Sequence, residues 1–478
     1  MNAEASNAVV RFVDATWQRS ILPALTEYIR IPNKSPAFDR EWEQRGHMQA
    51  AVELLDHWCD SVPLRHHDRR IVTLAGRTPL LFIDIPATGD GGTALLYGHY
   101  DKQPEFTGWA PGLSPWEPVL RDGKLYGRGG ADDGYALFAS LTAIAALEEA
   151  GIPHGRCVVI IEGCEESGSF DLPHYIEALE DEIGQPDLVV CLDAECGNYD
   201  QLWLTTSLRG MLPGVLSVDV LTEGQHSGAA GGIVPSSFRL LRGLLERVEN
   251  AATGELHEAL HTAIPPESRV ELEAAAAVLG DGIISRFPWL EGATPVSGDA
   301  AQLLVQNTWH PSLATVGLSG APEIGDAGNT LRPGTSAKLV FRLPPTLDAG
   351  EAARSVKALL EANPPPGAKV AFDLETPQTG WRAPPTAPWL KSALDQASRR
   401  HFGEPSMSMG MGGTIPFMKM LGDAYPDVQF MVTGVLGPKS NAHGPNEFLH
   451  IATARKLTAC VADVLANLEP AVAGRRDV

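Results

Sequence analysis

Leu95-Leu96-Tyr97-Gly98-His99-Tyr100-Asp101 is the stretch on which the reading of this chain turns. An apolar run from Thr93 to Tyr97 stops abruptly, and a His and an Asp follow, two residues apart. A run of that length between turn signals predicts a buried strand. His99 and Asp101 then sit just past its carboxyl end, where open α/β sheets keep their sites. Residues two apart on an extended chain face the same way. Asp101 can therefore hold one imidazole nitrogen while the other binds an ion, the usual support of a metal-bound histidine. A lone His-x-Asp triplet is more often an ordinary surface or core pair, so the weight falls on what the rest of the chain places around it.

The same ending recurs. A buried strand over Arg156–Ile161 runs into Glu162-Gly163-Cys164-Glu165-Glu166-Ser167-Gly168-Ser169. Another, Leu188–Leu192, ends at Asp193-Ala194-Glu195. Gly127-Arg128-Gly129-Gly130-Ala131-Asp132-Asp133-Gly134 leads into a helix over Tyr135–Ala150, and a strand over Val428–Thr433 is followed by His443. Strands alternating with helices imply a mostly parallel sheet whose carboxyl ends share one edge, so these acids and imidazoles converge. Taken singly, Asp132 reads as a helix N-cap, Glu165-Glu166 as a solvated turn, Asp193 as a cap and His443 as a loop residue. Taken together, His99, Asp132, Glu165, Glu166, Asp193 and His443 are hard and borderline ligands suited to zinc or a similar divalent ion. Four carboxylates gathered without cations would repel, and some would stay protonated. Two ions about 3.5–4 Å apart, sharing a bridging carboxylate, remove that conflict.

The chain of 478 residues is too long for one core, so two or more domains are expected. Hydrophobic content of 44% and charged content of 20% are those of an ordinary globular protein. A net charge of −22 argues against nucleic acid or an anionic membrane as partner. Six cysteines without a CxxC pair argue against a disulfide scaffold or a thiolate zinc site. No basic stretch followed by an apolar core opens the sequence and no apolar run reaches membrane-spanning length, so a cytoplasmic protein is expected.

Apolar spacing predicts helices over residues 5–31 and Met48–Cys59, then strands over Ile71–Ala75 and Leu80–Ile85. Residues 102–126, with four prolines, read as a long loop, and such loops are usually functional. From Leu208 the texture changes. Strands are expected over Met211–Leu221, Ser336–Leu343 and Ala368–Leu374, a helix over Ser236–Val248, and Ala-rich helical segments within 254–325. Gly380–Pro388 links to helices over Trp389–His401 and Leu449–Leu468. The expected architecture is α/β: one domain with a mostly parallel sheet and helices on both faces, built from residues 1–207 and 382–478. A smaller α/β sandwich, residues 208–381, is inserted into it.

The segments G-H-Y-D, G-R-G-G-A-D-D-G, E-G-C-E-E-S-G-S, L-D-A-E, Q-H-S-G and A-H-G-P-N-E occur in the order seen in the M20 family of co-catalytic metallopeptidases. Gln225-His226-Ser227-Gly228 and the stretch from Asp193 to Leu208-Arg209-Gly210 make the chain most similar to the carnosinase-like dipeptidase branch. The resemblance spans nearly the whole sequence. It implies that His99 and Asp193 bind one metal, Glu166 and His443 the other, and that Asp132 bridges them. Asp133 would follow through a peptide bond that is often cis in the family. Asp101 would orient His99. Glu165 would be the general base, moving a proton from a metal-activated water to the leaving amine. The ions would be two zincs, with manganese or cobalt as alternatives. The inserted domain would cover the site and form a homodimer, with His226 reaching the neighbouring subunit's site. Asn329, Thr330 and Arg342 would hold the substrate, its carboxylate in particular, since an Arg fork pairs bidentately with a carboxylate. Gly413 and Thr414, in Gly412-Gly413-Thr414-Ile415-Pro416, resemble a substrate-binding loop.

Two departures stand out. The branch usually carries a Lys after the paired Asp, where this chain has Gly134. The residues before Gly412-Gly413 are commonly Arg and an acid, and here they are Gly410 and Met411. An acid there would grip a free α-amino group, and Met411 does not. The leading expectation is a dinuclear metal-dependent hydrolase of a small amide such as a dipeptide. The alternatives are an N-acyl amino acid or other small-amide hydrolase on the same scaffold and a non-catalytic binding protein.

Overall fold

The computed structural model describes residues 3–469. Its central sheet has six strands in the order Asp68–Val72, Leu80–Ile85, Cys157–Glu162, Ala94–His99, Leu188–Cys191, Gln429–Val432. The last four run parallel, and Leu80–Ile85 lies antiparallel to Cys157–Glu162. The inner strands C-V-V-I-I-E, A-L-L-Y-G-H and L-V-V-C are buried at every position, as parallel strands covered on both faces must be. Side-chain alternation divides them between two cores. Leu96, Val159 and Val190 face helices Ala3–Thr16, Ala136–Glu149, Pro388–His401 and Ile451–Leu465. Leu95, Tyr97, Val158 and Val189 face Leu172–Ala178 and Pro416–Ala424. Helix Ala136–Glu149 is apolar all round and buried along nearly its whole length, as a helix lodged between a sheet and other helices is.

The expected α/β architecture is present, with helices on both faces of a mainly parallel sheet. Within residues 210–374 an antiparallel sheet runs in the order Ser312–Ser319, Gly334–Leu343, Gly210–Asp219, Lys369–Leu374. Leu212, Leu216, Leu339, Phe341 and Phe372 form one face, covered by helices Ser237–Leu245 and Ala349–Glu361.

Several elements differ from expectation. The first helix is interrupted by a π turn, Trp17–Ile21. The strand expected over Ile71–Ala75 is Asp68–Val72, its register set by antiparallel pairing of Asp68 with Asp84 at the sheet edge. The loop over 102–126 ends in a hairpin, Val119–Arg121 and Lys124–Tyr126. Its turn is Asp122-Gly123, both at positive φ, the dipeptide such turns favour. The Ala-rich stretch also contains strand Ser312–Ser319, and its helices Pro266–Leu279 and Ala300–Thr308 pack with Trp203 and Met409. A further sheet lies outside the expected elements: Trp203–Leu208 pairs parallel with Met407–Met411 and antiparallel with Trp381–Arg382. It delivers Met411 to Thr414 to the site. All six cysteines are buried and free. Among the described residues no helix is long and apolar enough to cross a membrane.

Candidate metal centre and cleft

Parallel pairing sets the register of His99 opposite Glu162, so the chain leaving each strand emerges at one edge. There Asp132 presents one oxygen to each imidazole. His99 Nε2 is 3.3 Å from Asp132 Oδ1, and His443 Nε2 is 3.0 Å from Asp132 Oδ2. Asp193 Oδ2 and Glu165 Oε2 lie 3.7 and 3.9 Å from His99 Nε2. Glu166 Oε2 is 3.3 Å from His443 Nε2. Ligand atoms of His99, Asp132 and Glu166, and again of His99, Glu165 and Asp193, lie within 4.8 Å of one another. The Asp132–Asp133 peptide bond is cis, and His443 has a positive φ of 60°.

The second layer is equally defined. The Asp101 carboxylate is 3.4 Å from His99 Nδ1 and accepts the backbone N–H groups of Glu165 and Glu166, each at 3.0 Å. The Asp133 side chain accepts the backbone N–H of His99. Gln103 Nε2 donates to Glu166 Oε2 at 2.6 Å. Glu447 is buried, pairs with Arg128 at 2.6 Å and accepts the backbone N–H of Gly129, which ties the His443 loop to the Asp132 segment. Gln103 sits in the unassigned loop. Glu447 closes the A-H-G-P-N-E segment without carrying a role in the sequence reading. Only its burial reveals it.

Burial pushes the Glu165 carboxyl well up, with Asp193 adding to it. Glu166 is raised to about 8 by burial and by Asp132, and Asp193 to about 6 by burial. Burial opposes a charged His99, but Asp193, Asp101 and Asp132 outweigh it and raise its pKa. His443, whose side chain is 56% exposed, loses some of its water to the crowded acids, which opposes charge, and Glu166 and Asp132 outweigh that and raise its pKa. Asp132 is driven down despite its burial because both imidazoles hydrogen-bond to it. Glu166 Oε1 is buried without a hydrogen-bond partner among the described residues. Two nitrogens and several carboxylate oxygens, crowded where positive charge is stabilised, are a donor set that fits divalent metal ions.

Over this centre opens a cleft of about 590 Å³, lined by the centre's acids and His443 and by Glu195, Met211, Arg342, Met411, Gly413 and Thr414. Arg342 donates to Thr414 Oγ1 at 3.1 Å, and Thr414 donates to the carbonyl of Arg209 at 2.6 Å. Arg209, which carried no assigned role, donates to the Gly412 carbonyl at 3.0 Å and shapes this loop. Other expected contacts lie elsewhere. His226, Asn329 and Thr330 are exposed and are not among the lining residues. They sit together on a ribbon in which Gln225–His226 pairs with Thr330–Leu331, and Ser227 donates to the Asn329 carbonyl at 2.8 Å.

The Gly134 departure has a steric cause. A Cβ there would lie 2.2 Å from the Tyr28 ring and 2.5 Å from the Gly129 carbonyl oxygen. No side chain fits.

The sequence model of Peptidase family M20/M25/M40 matches residues 95–467. A cysteinylglycine-S-conjugate dipeptidase of Corynebacterium striatum is 29% identical over 378 residues, covering 77% of this chain and 80% of that protein. The β-Ala-His dipeptidase of Homo sapiens is 25% identical, over 72% of this chain and 68% of its own length. In fold, the chain is similar to the dipeptidase Dug1p from Saccharomyces cerevisiae, with a TM-score of 0.79 at 20% identity, over 97% of this chain and 98% of that one. Human carnosine dipeptidase 1 gives 0.76 at 20% identity, with the same coverage.

Proposed function

The chain belongs to peptidase family M20/M25/M40, and from that premise we propose that it hydrolyses the amide bond of a small substrate such as a dipeptide, using two divalent metal ions. The observation that carries this is Asp132, whose two oxygens face His99 and His443 separately while Glu165 stands beside the pair. His99 and Asp193 would hold one ion and Glu166 and His443 the other, with Asp132 facing both. Zinc suits this mixture of nitrogen and oxygen donors, with manganese and cobalt as alternatives. Bound there, the ions supply Lewis acidity to the scissile carbonyl and acidity to the attacking water.

Glu165 takes the proton from that water at its carboxylate and hands it to the leaving amine. Its carboxylate, 3.9 Å from His99 Nε2 and within reach of Asp193, stands where it can both accept and return a proton. Asp101 keeps His99 and the Glu165 backbone in place. Arg342 and Thr414, joined at 3.1 Å, receive the substrate carboxylate with the Gly413 backbone beside them. The segment from 208 to 381 serves as the cover between the two parts of the catalytic domain, 1–207 and 382–478. His226, Asn329 and Thr330 are exposed together on that segment, which supports a homodimer in which they complete the cleft of the other copy. Six buried free thiols fit a reducing cytoplasm.

The test is hydrolysis of a dipeptide panel by protein stripped with a chelator and then given zinc, manganese or cobalt. Turnover that appears only with added metal supports the assignment. Ligand binding without turnover under every metal would instead make the chain a binding protein.

A further inference from the structure

Beside the metal cleft lies a second cavity of about 410 Å³, within the range of sites that take small organic ligands. Glu195 and Met411 line both spaces, so the cavity adjoins the cleft along a shared wall. Its other walls include Leu279, Ile283, Phe287, Leu303 and Leu304. Around it, Phe287, Trp289 and Val296 are 53%, 43% and 85% exposed, large apolar surface with little of this chain to cover it.

We propose that this cavity is the specificity pocket for a bulky, uncharged apolar group on the carbonyl side of the scissile amide. The inference rests on the reading of the cleft as a metallohydrolase site. With the substrate carboxylate at Arg342, the amine-side end is engaged, and the group attached to the carbonyl is the one left to cross the Met411 wall. Glu195 is the sole acid lining the cavity among the described residues, and Arg286 pairs with it at 3.1 Å. The second cation there, Arg209, is occupied by the Gly412 and His310 carbonyls and Ser312. The one carboxylate is matched by a guanidinium with a second close by, which disfavours an ammonium; the acceptor left open on the lining among the described residues, Gln306 Oε1, is uncharged, and the aliphatic and aromatic walls reward apolar area. Met411 itself is a flexible thioether that adapts to such a group. Its Sδ accepts the Thr205 hydroxyl at 3.1 Å.

The apolar group can be an N-acyl chain or the side chain of a free-amino dipeptide, and two substrate arms separate them. One arm is a set of N-acyl amino acids from acetyl to octanoyl and benzoyl. The other is a set of dipeptides with Ala, Leu or Phe at the first position and the same second residue. The metal-loaded enzyme should gain about threefold in kcat/KM per added methylene in at least one arm. The arm that gains identifies the source. In Leu303→Trp, which fills the cavity, the ratio of kcat/KM for the largest to the smallest group should fall at least tenfold. If that variant does not fold, Val296→Trp at the cavity rim takes its place with the same expected fall. Hydrolysis that is flat with size in both arms, or a ratio unchanged in the variant, overturns the pocket while leaving the hydrolase reading standing. Absence of hydrolysis of every substrate with every metal overturns both.

Discussion

The Asp101 carboxylate accepts the backbone N–H of Glu165 at 3.0 Å while lying 3.4 Å from His99 Nδ1. Asp101 thus holds a ring at the end of one strand, its backbone carbonyl 3.2 Å from the same Nδ1 and its carboxylate beside it, and with that carboxylate the turn after the neighbouring strand of the sheet. Removing the side chain in Asp101→Ala leaves the imidazole with only the Asp101 backbone carbonyl, 3.2 Å from Nδ1, and leaves two N–H groups without their acceptor. Loss of such outer support costs about 10–100-fold in metal affinity or activity. Metal titration followed by a competing chelator should show that fall, with the far-ultraviolet circular dichroism of the folded protein retained. Unchanged affinity and unchanged turnover would remove Asp101 from the site.

Glu165 stands near enough to His99 and Asp193 to be a ligand or a base. Glu165→Gln distinguishes the two. As a base, its loss lowers kcat by about 10²–10⁴-fold with metal content held at the wild-type level by elemental analysis. Metal lost in step with activity would make it a ligand.

What could be read in advance followed from strand burial. The strands ending at His99, Glu162 and Cys191 are apolar at nearly every position, so their ends, and the acids beyond them, were visible in the sequence. Trp203–Leu208 and Met407–Met411 were not, because W-L-T-T-S-L and M-S-M-G-M lack the β-branched apolar run and the clean alternation that mark strands. Their pairing is settled by tertiary packing against Trp309 and Ala275. The pairings of Gln103 with Glu166 and of Arg128 with Glu447 link residues 63 and 319 positions apart, and nothing in local pattern announces them.

Gly134 accepts no side chain because the Tyr28 ring and the Gly129 carbonyl fill the space. The Tyr28 hydroxyl is itself held by the Tyr100 carbonyl at 2.6 Å, and Lys102 Nζ lies 3.9 Å from the ring centre. Gly134→Ala should therefore destabilise the fold by about 1–3 kcal/mol, the cost of overpacking a dense interior. Urea unfolding followed by tryptophan fluorescence measures it. A neutral result would mean that the Tyr28 ring moves aside.

Crowded carboxylates make the apoprotein the weaker form. Metal ions that bind only the folded chain add about 4 kcal/mol at a thousandfold excess over Kd. Chelation should lower the thermal midpoint, and zinc returned at stoichiometry should restore it. An equal midpoint with and without metal would show that the site holds no ion of consequence for the fold.

The last relationship reaches furthest along the chain. Arg128 donates to Glu447 at 2.6 Å and to the Gly444 carbonyl at 2.6 Å, and both charged side chains are buried. Glu447 also accepts the Gly129 N–H at 3.0 Å. This pair holds His443, four residues before Glu447, against Asp132. Breaking one partner of a buried pair costs about 3–5 kcal/mol, because the other charge is stranded. Arg128→Met and Glu447→Gln should each show that loss on urea unfolding, and the double variant should lose less than their sum. Each single variant should also bind metal more weakly, since His443 is no longer pinned. If the losses simply add, the two side chains act independently, and the position of His443 depends on something other than this pair.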